Sequence, residues 1–160
     1  MERIYSVEEI HNIEKKEFKK LKSSYVLMER AGTNCAKKIY KSKLNSNFIV
    51  LCGPGNNGGD GLVISQGLKK LNQSVILYSL KSITYKGDAK IAYKKNQLTK
   101  NNYNDLNIPK NSVIIDCLFG IGLSRKVKGM YKNIIKKVNK SKQHVISIDI
   151  PSGINGDNGK

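Results

Sequence analysis

Apolar residues along this chain recur in two patterns, and their alternation predicts the architecture. Near the amino end the spacing is helical. One stretch covers residues 7–21, and a second covers residues 25–41, where Met28, Ala31, Cys35 and Ile39 recur along one face with the small residues Gly32 and Ala36 beside them. The first stretch opens on Ser6-Val7-Glu8-Glu9, the spacing of a capping box, in which a hydroxyl and a carboxylate three positions apart satisfy each other's orphan amides. The pattern then changes. Phe48-Ile49-Val50-Leu51-Cys52 is a continuous apolar run, too short for a helix and followed at once by glycine, as expected of a parallel strand buried on both faces. Three similar runs follow: Ser74-Val75-Ile76-Leu77-Tyr78, Ser112-Val113-Ile114-Ile115-Asp116 and His144-Val145-Ile146-Ser147-Ile148-Asp149. Helical stretches near residues 61–71, 88–98 and 130–138 separate them. Strands alternating with helices require right-handed crossovers, so the expected fold is α/β: a Rossmann-like, three-layer αβα arrangement around a mostly parallel sheet.

Composition bounds this picture without changing it. A length of 160 residues makes one domain, and 39% hydrophobic with 26% charged residues excludes a disordered or fibrous chain. The formal charge of +17 would ordinarily raise nucleic acid or an anionic membrane as a partner. Only Arg3, Arg30 and Arg125 are arginines, however, and every other basic residue is lysine. Surfaces dedicated to phosphate lean on the planar fork of arginine, so scattered lysine reads as base composition and solvated helix faces. No nucleic-acid or membrane partner is expected. Cys35, Cys52 and Cys117 form no CxxC pair and read as reduced thiols, while residues 1–22 are charged throughout and no run approaches the roughly 20 apolar residues of a membrane span. A cytoplasmic location is the expectation.

In a doubly wound sheet ligands bind beyond the carboxyl ends of the strands, so function is sought there. The first strand runs into Gly53-Pro54-Gly55-Asn56-Asn57-Gly58-Gly59-Asp60-Gly61, with a helix expected from about Leu62. This contains GxGxxG, which lets a backbone turn tightly and approach a pyrophosphate. The loop is denser in Gly and Asn than that fingerprint requires, and Ser79, Leu80 and Lys81 stand where an acidic residue would take a ribose hydroxyl. Asn57 and Asp60 add side-chain oxygens, so the loop can hold a cation and an anion together. Turn chemistry explains the same residues equally well. The third strand ends in Asp116 and leads into a Gly-containing loop ending at Arg125; the fourth ends in Asp149-Ile150-Pro151-Ser152-Gly153. Each taken alone is open to a turn explanation. Three polar strand ends converging on one crevice are harder to assign to turns.

Four motifs in order resemble a known family: Leu27-Met28-Glu29-Arg30-Ala31-Gly32, the Gly53–Gly61 loop, Asp116-Cys117-Leu118-Phe119-Gly120-Ile121-Gly122-Leu123-Ser124-Arg125, and Asp149-Ile150-Pro151-Ser152-Gly153. Together they are similar to the YjeF N-terminal domain family, the NAD(P)H-hydrate epimerases. The resemblance implies interconversion of the R and S epimers of NADHX and NADPHX, reduced nicotinamide cofactors damaged by hydration. It implies a potassium ion (K+) held by Asn57, Asp116 and Ser152. It implies substrate-binding positions at Asn56, Asn57, Gly58, Gly59 and Asp60, at Gly120, Ile121, Gly122, Leu123, Ser124, Arg125 and Lys126, and at Asp149. Arg125 is also suited on chemical grounds to a phosphate. Inversion by loss and return of water through a cationic ring needs an acid/base group, for which Asp149 is the candidate.

The resemblance further implies a homodimer as an assembly to consider, and a dehydratase, fused or separate, as the enzyme acting next. Family members continue beyond the point where this chain stops, so the domain over residues 1–160 is expected to be C-terminally incomplete. Two other readings remain at this stage. A non-catalytic nucleotide-binding or protein-interaction module would keep the pocket without the turnover. An NADP-dependent oxidoreductase is disfavoured by the Asn-rich loop and by the lack of a catalytic pair, since His11 reads as a helix-surface residue and His144 as a strand residue.

Overall fold

The computed structural model describes residues 4–20, 23–44 and 46–159. Two helices, α1 (Val7–Lys20) and α2 (Tyr25–Lys41), precede the first strand. There follow β1 (Asn47–Cys52), α3 (Asn56–Lys70), β2 (Val75–Tyr78), α4 (Gly87–Lys95), β3 (Lys100–Asn101), β4 (Ser112–Cys117), α5 (Gly129–Ser141) and β5 (His144–Ser147). All five strands are parallel in the order β3-β2-β1-β4-β5. Helices α2, α3 and α4 cover one face of the sheet; α5 and the segment 103–108 cover the other. This is the expected three-layer αβα architecture. Among the described residues no helix is long and apolar enough to cross a membrane.

The capping box forms as the sequence implies: the Ser6 amide donates to Glu9 Oε2 at 2.9 Å and the Glu9 amide to Ser6 Oγ at 3.2 Å. The expected end of that helix at Leu21 lies outside the described residues. Helix α2 buries Met28, Gly32, Ala36 and Ile39, while Ala31 is exposed and Cys35 half-buried. The small residues therefore sit at the centre of the contact, because α3 lies so close that a Cβ on Gly32 would come within 2.6 Å of the Val63 Cβ.

Four expected boundaries shift, each for a local reason. Helix α3 begins at Asn56 rather than near Leu62, because Gly55 is extended and the Gly59 amide already donates to the Gly55 carbonyl at 3.1 Å. Helix α4 stops at Lys95 rather than Leu98. There Asn96 leaves helical geometry, and its Nδ2 donates to the Leu62 carbonyl at 2.7 Å and to Ser65 Oγ at 2.9 Å. Strand β4 includes Cys117, so Asp116 is its penultimate residue. Strand β5 ends at Ser147, and Asp149, read from the sequence as a strand end, has φ +71° in the left-handed region. One strand, β3, carries no apolar run at all and is held by backbone pairing with Leu77 and Tyr78.

The central strand β1 has β2 on one side and β4 on the other, so the crossovers that follow β1 and β4 leave on opposite faces. Such a switch point opens a crevice between the loops leaving the two strands. Hydroxyls of Tyr103 and Tyr85 lie 2.9 and 3.4 Å from the Cys52 carbonyl, securing the end of β1 at that crevice.

Candidate functional site

The crevice is a cleft of about 700 Å³. Its walls come from the turn after β1 and the start of α3 (Pro54, Gly55, Asn56, Asn57, Asp60), from residues 118–125 after β4, from Asp149 after β5, and from Ile10, His11 and Glu14 of α1. A second cavity of about 320 Å³ lies between α2, α3 and α4 and gathers none of these groups.

The Gly-rich loop folds in two parts with different tasks. Gly53 packs against the Leu118 backbone, and its amide donates to the Cys117 carbonyl at 2.9 Å, joining the ends of β1 and β4. From Asn56 the backbone is helical, so the amino end of α3, with its free amides and positive dipole end, faces the cleft and favours an anion. Asn57 is 9% exposed, and among the described residues neither its amide oxygen nor its amide nitrogen has a partner. Leaving a buried amide unsatisfied costs of order 1–3 kcal/mol, which marks it as a group awaiting a ligand. Gly58 and Gly59 line no part of the cleft. They pack inward instead, Gly58 on the Gly53 backbone and Gly59 on Met28 and Ala89.

Beyond β4 the chain is tied into a small network. Asp116 is buried; its Oδ1 accepts from the Leu118 amide at 3.1 Å and from Ser152 Oγ at 2.6 Å, and its Oδ2 accepts from the Ser152 amide at 2.9 Å. The Phe119 amide donates to Ser152 Oγ at 2.9 Å. The loop 118–119 and the turn 150–153, far apart in sequence, are thereby held as one unit. Asp149 stands beside it, with its Oδ2 accepting from the Ile121 amide at 2.7 Å and lying against Gly120, where no Cβ fits. Among the described residues its other oxygen has no hydrogen bond. Gly120, Ile121, Gly122, Leu123, Ser124 and Arg125 all line the cleft, whereas Lys126 is exposed and does not.

Asp60 is half-buried in the cleft wall, and its carboxyl is pushed up to about 7, first by burial, then by the charges of Asp149 and Glu14. The folded chain thus keeps a proton on Asp60 that the unfolded chain, titrating near 3.8, has lost. The native state binds more protons across that window, so this group makes stability fall as pH rises from about 4 to about 7. Asp60→Asn removes the ionisation while keeping the shape. It is expected to melt above the wild type at pH 8 in potassium-free buffer and level with it near pH 4. A constant offset at both pH values would contradict the assignment.

The sequence-derived positions Asn56, Asn57, Asp60, Gly120 to Arg125 and Asp149 are therefore brought to one cleft, and Asp116 and Ser152 are brought to each other. Sequence reasoning missed α1. His11, read as a helix-surface residue, lines the cleft with Ile10 and Glu14, and its Nδ1 lies 3.4 Å from Glu14 Oε2. Ile10 and Glu14, four positions apart, share a helix face, but nothing in that spacing says what the face meets.

Known proteins resemble this chain in sequence and in fold. A family model described as YjeF-related protein N-terminus matches residues 24–160. An NAD(P)H-hydrate epimerase of Lentilactobacillus buchneri is 38% identical over 171 residues, covering 99% of this chain and 77% of that protein. A bifunctional NAD(P)H-hydrate repair enzyme of Coxiella burnetii is 34% identical over 98% of this chain, which corresponds to 33% of that enzyme. Among solved structures, yeast ynu0 superposes with a TM-score of 0.80 over 98% of this chain and 74% of that one, at 22% identity, a likeness of fold.

Proposed function

The chain belongs to the YjeF-related protein N-terminus family, and from that membership we propose that it works as an NAD(P)H-hydrate epimerase, an isomerase of damaged nicotinamide cofactors. The observation that carries this reading is the cleft at the β1/β4 switch point. It draws the Asn-rich helix start, the 120–125 loop and Asp149 to one place.

The substrate bears a hydroxyl on its reduced ring. Inversion at that carbon requires the C–O bond to break with a proton supplied to the departing oxygen, the ring nitrogen to form a C=N bond, and water to return to the other face. Asp149 is suited to moving that proton: the Ile121 amide fixes one oxygen and the other is open to the cleft. Arg125 and the amino end of α3 are suited to the anionic phosphates.

Asn57, Asp116 and Ser152 are our candidates for holding potassium. Their donors are all oxygens, the type a hard cation takes, and the unpartnered, buried Asn57 amide supports a fit. After the three bonds it accepts, the Asp116 carboxylate still has lone-pair capacity. A bound potassium ion supplies a fixed positive charge beside the substrate. The free cysteines support a reducing compartment, and the cytoplasm is our assignment. The bifunctional relative supports a second repair activity acting alongside this one.

The test is direct. Pure R-NADPHX is incubated with the protein, with and without potassium, and the S epimer is followed. Conversion well above the spontaneous rate, slowed when potassium is removed, is expected. Tight binding without conversion would point to a non-catalytic module, and hydride transfer to an added acceptor would point to an oxidoreductase.

A further inference from the structure

Helix α1 lies outside the residues that the family model matches, yet it builds one wall of the cleft. Its position is fixed rather than incidental. The capping box closes its amino end, the Val7 amide donates to Asp157 Oδ1 at 3.0 Å, and Gly156 packs against the Val7 side chain. With that end anchored, the face carrying Glu14 is turned toward the cleft.

Glu14 is half-exposed, and its Oε2 lies 3.4 Å from His11 Nδ1. Its charge reaches Asp60 across the cleft wall, as does that of Asp149. Three carboxyl groups, on α1, on α3 and in the turn after β5, thus surround one space, in a chain whose formal charge is +17. Gathering the charges of Glu14 and Asp149 around Asp60 costs stability, and favours the proton on Asp60, unless something positive comes between them. The same space holds the nine-tenths buried Asn57: potassium would take its amide oxygen, but its amide nitrogen, also unpartnered among the described residues, would still need a ligand.

Besides the fixed charge that potassium would supply, the proposed reaction brings a transient positive charge into this space. As the C–O bond breaks and oxygen leaves as water, the ring nitrogen's lone pair forms C=N and the ring becomes a cation; when water returns to the opposite face and gives up a proton, the ring is neutral again. We propose that Glu14 is a catalytic residue whose carboxylate, carried into the cleft by α1, stabilises this transient ring cation. The proposal rests on the epimerase reading above. In this role the Glu14 carboxylate acts by its charge alone, forming no bond and moving no proton. Because the charge it faces exists only near the transition state, its contribution belongs to kcat and not to substrate binding.

The experiment is steady-state epimerisation of R-NADPHX by the wild type, Glu14→Gln and Glu14→Asp, with thermal melts to show that all three fold. Glu14→Gln is expected to lower kcat about tenfold with KM within about twofold, and Glu14→Asp to recover part of the loss. A Glu14→Gln kcat equal to that of the wild type, or an effect confined to KM, overturns the proposal while leaving the epimerase reading intact. A Glu14→Asp loss as large as that of Glu14→Gln also overturns it, because retained charge is then irrelevant. A wild type that does not epimerise overturns both.

Discussion

Asp149→Asn is expected to lower kcat for epimerisation at least about a hundredfold while leaving the melting temperature close to that of the wild type; positioned acid/base groups typically contribute about 10²–10⁴. The substitution is chosen for what it preserves. Asp149 has φ +71°, a conformation that asparagine tolerates better than most residues with a side chain, so the backbone has no reason to move. The asparagine carbonyl oxygen can still accept from the Ile121 amide as Asp149 Oδ2 does at 2.7 Å. The neighbouring Gly120 meets a side chain of the same size. What disappears is the ability to carry a proton and a negative charge. Loss of turnover with retained binding of the substrate would assign the proton transfer to this residue, and epimerisation at the wild-type rate would remove it from the mechanism. Asp149→Ala is a poorer probe, since it strains the left-handed backbone and frees the 120–125 loop at the same time.

How far such a site can be read in advance depends on the range of the physics that forms it. The strands that flank the cleft were legible because a parallel strand covered on both faces must be a continuous apolar run, and β1 and β4 are buried along nearly their whole length. Asp116 and Asp149 followed from the rule that ligands meet strands at their carboxyl ends, although neither is the terminal strand residue. Strand β3 was invisible, because Lys100 and Asn101 carry no apolar signal and are held by main-chain pairing and by Asn101 Nδ2 donating to the Leu77 carbonyl at 3.0 Å. The wall formed by α1 was invisible for a different reason: its anchor joins Val7 to Asp157, groups 150 residues apart, and no local pattern encodes so distant a meeting.

The Gly-rich loop shows the same division and yields the second large effect. Read from sequence, Gly58 belongs to a phosphate-approaching turn ahead of the helix; α3 in fact includes it, and on propensity alone its replacement by alanine would add stability, since glycine costs roughly 1 kcal/mol relative to alanine in a helix interior. The structure reverses the sign. A Cβ on Gly58 would be driven into the Gly53 carbonyl, with the carbonyl carbon only 2.7 Å away, and Gly53 has no room to retreat because it packs against the Leu118 backbone. Both neighbours are main chain, so no flexible side chain can yield. Overpacking in a core costs about 1–3 kcal/mol even where side chains can adjust. Gly58→Ala is therefore expected to destabilise the fold by at least about 2 kcal/mol in denaturant melts and to spread the ends of β1 and β4, taking epimerisation with it. Gly55→Ala is the control. Gly55 lines the cleft, but it has extended backbone and nothing within 4 Å of its would-be Cβ, so its melt is expected to match that of the wild type. If Gly58→Ala melted with the wild type, the close approach of α3 to the end of β1 would be wrong. The position of Asn57, one residue earlier, and with it the base of the proposed site, would have to be redrawn.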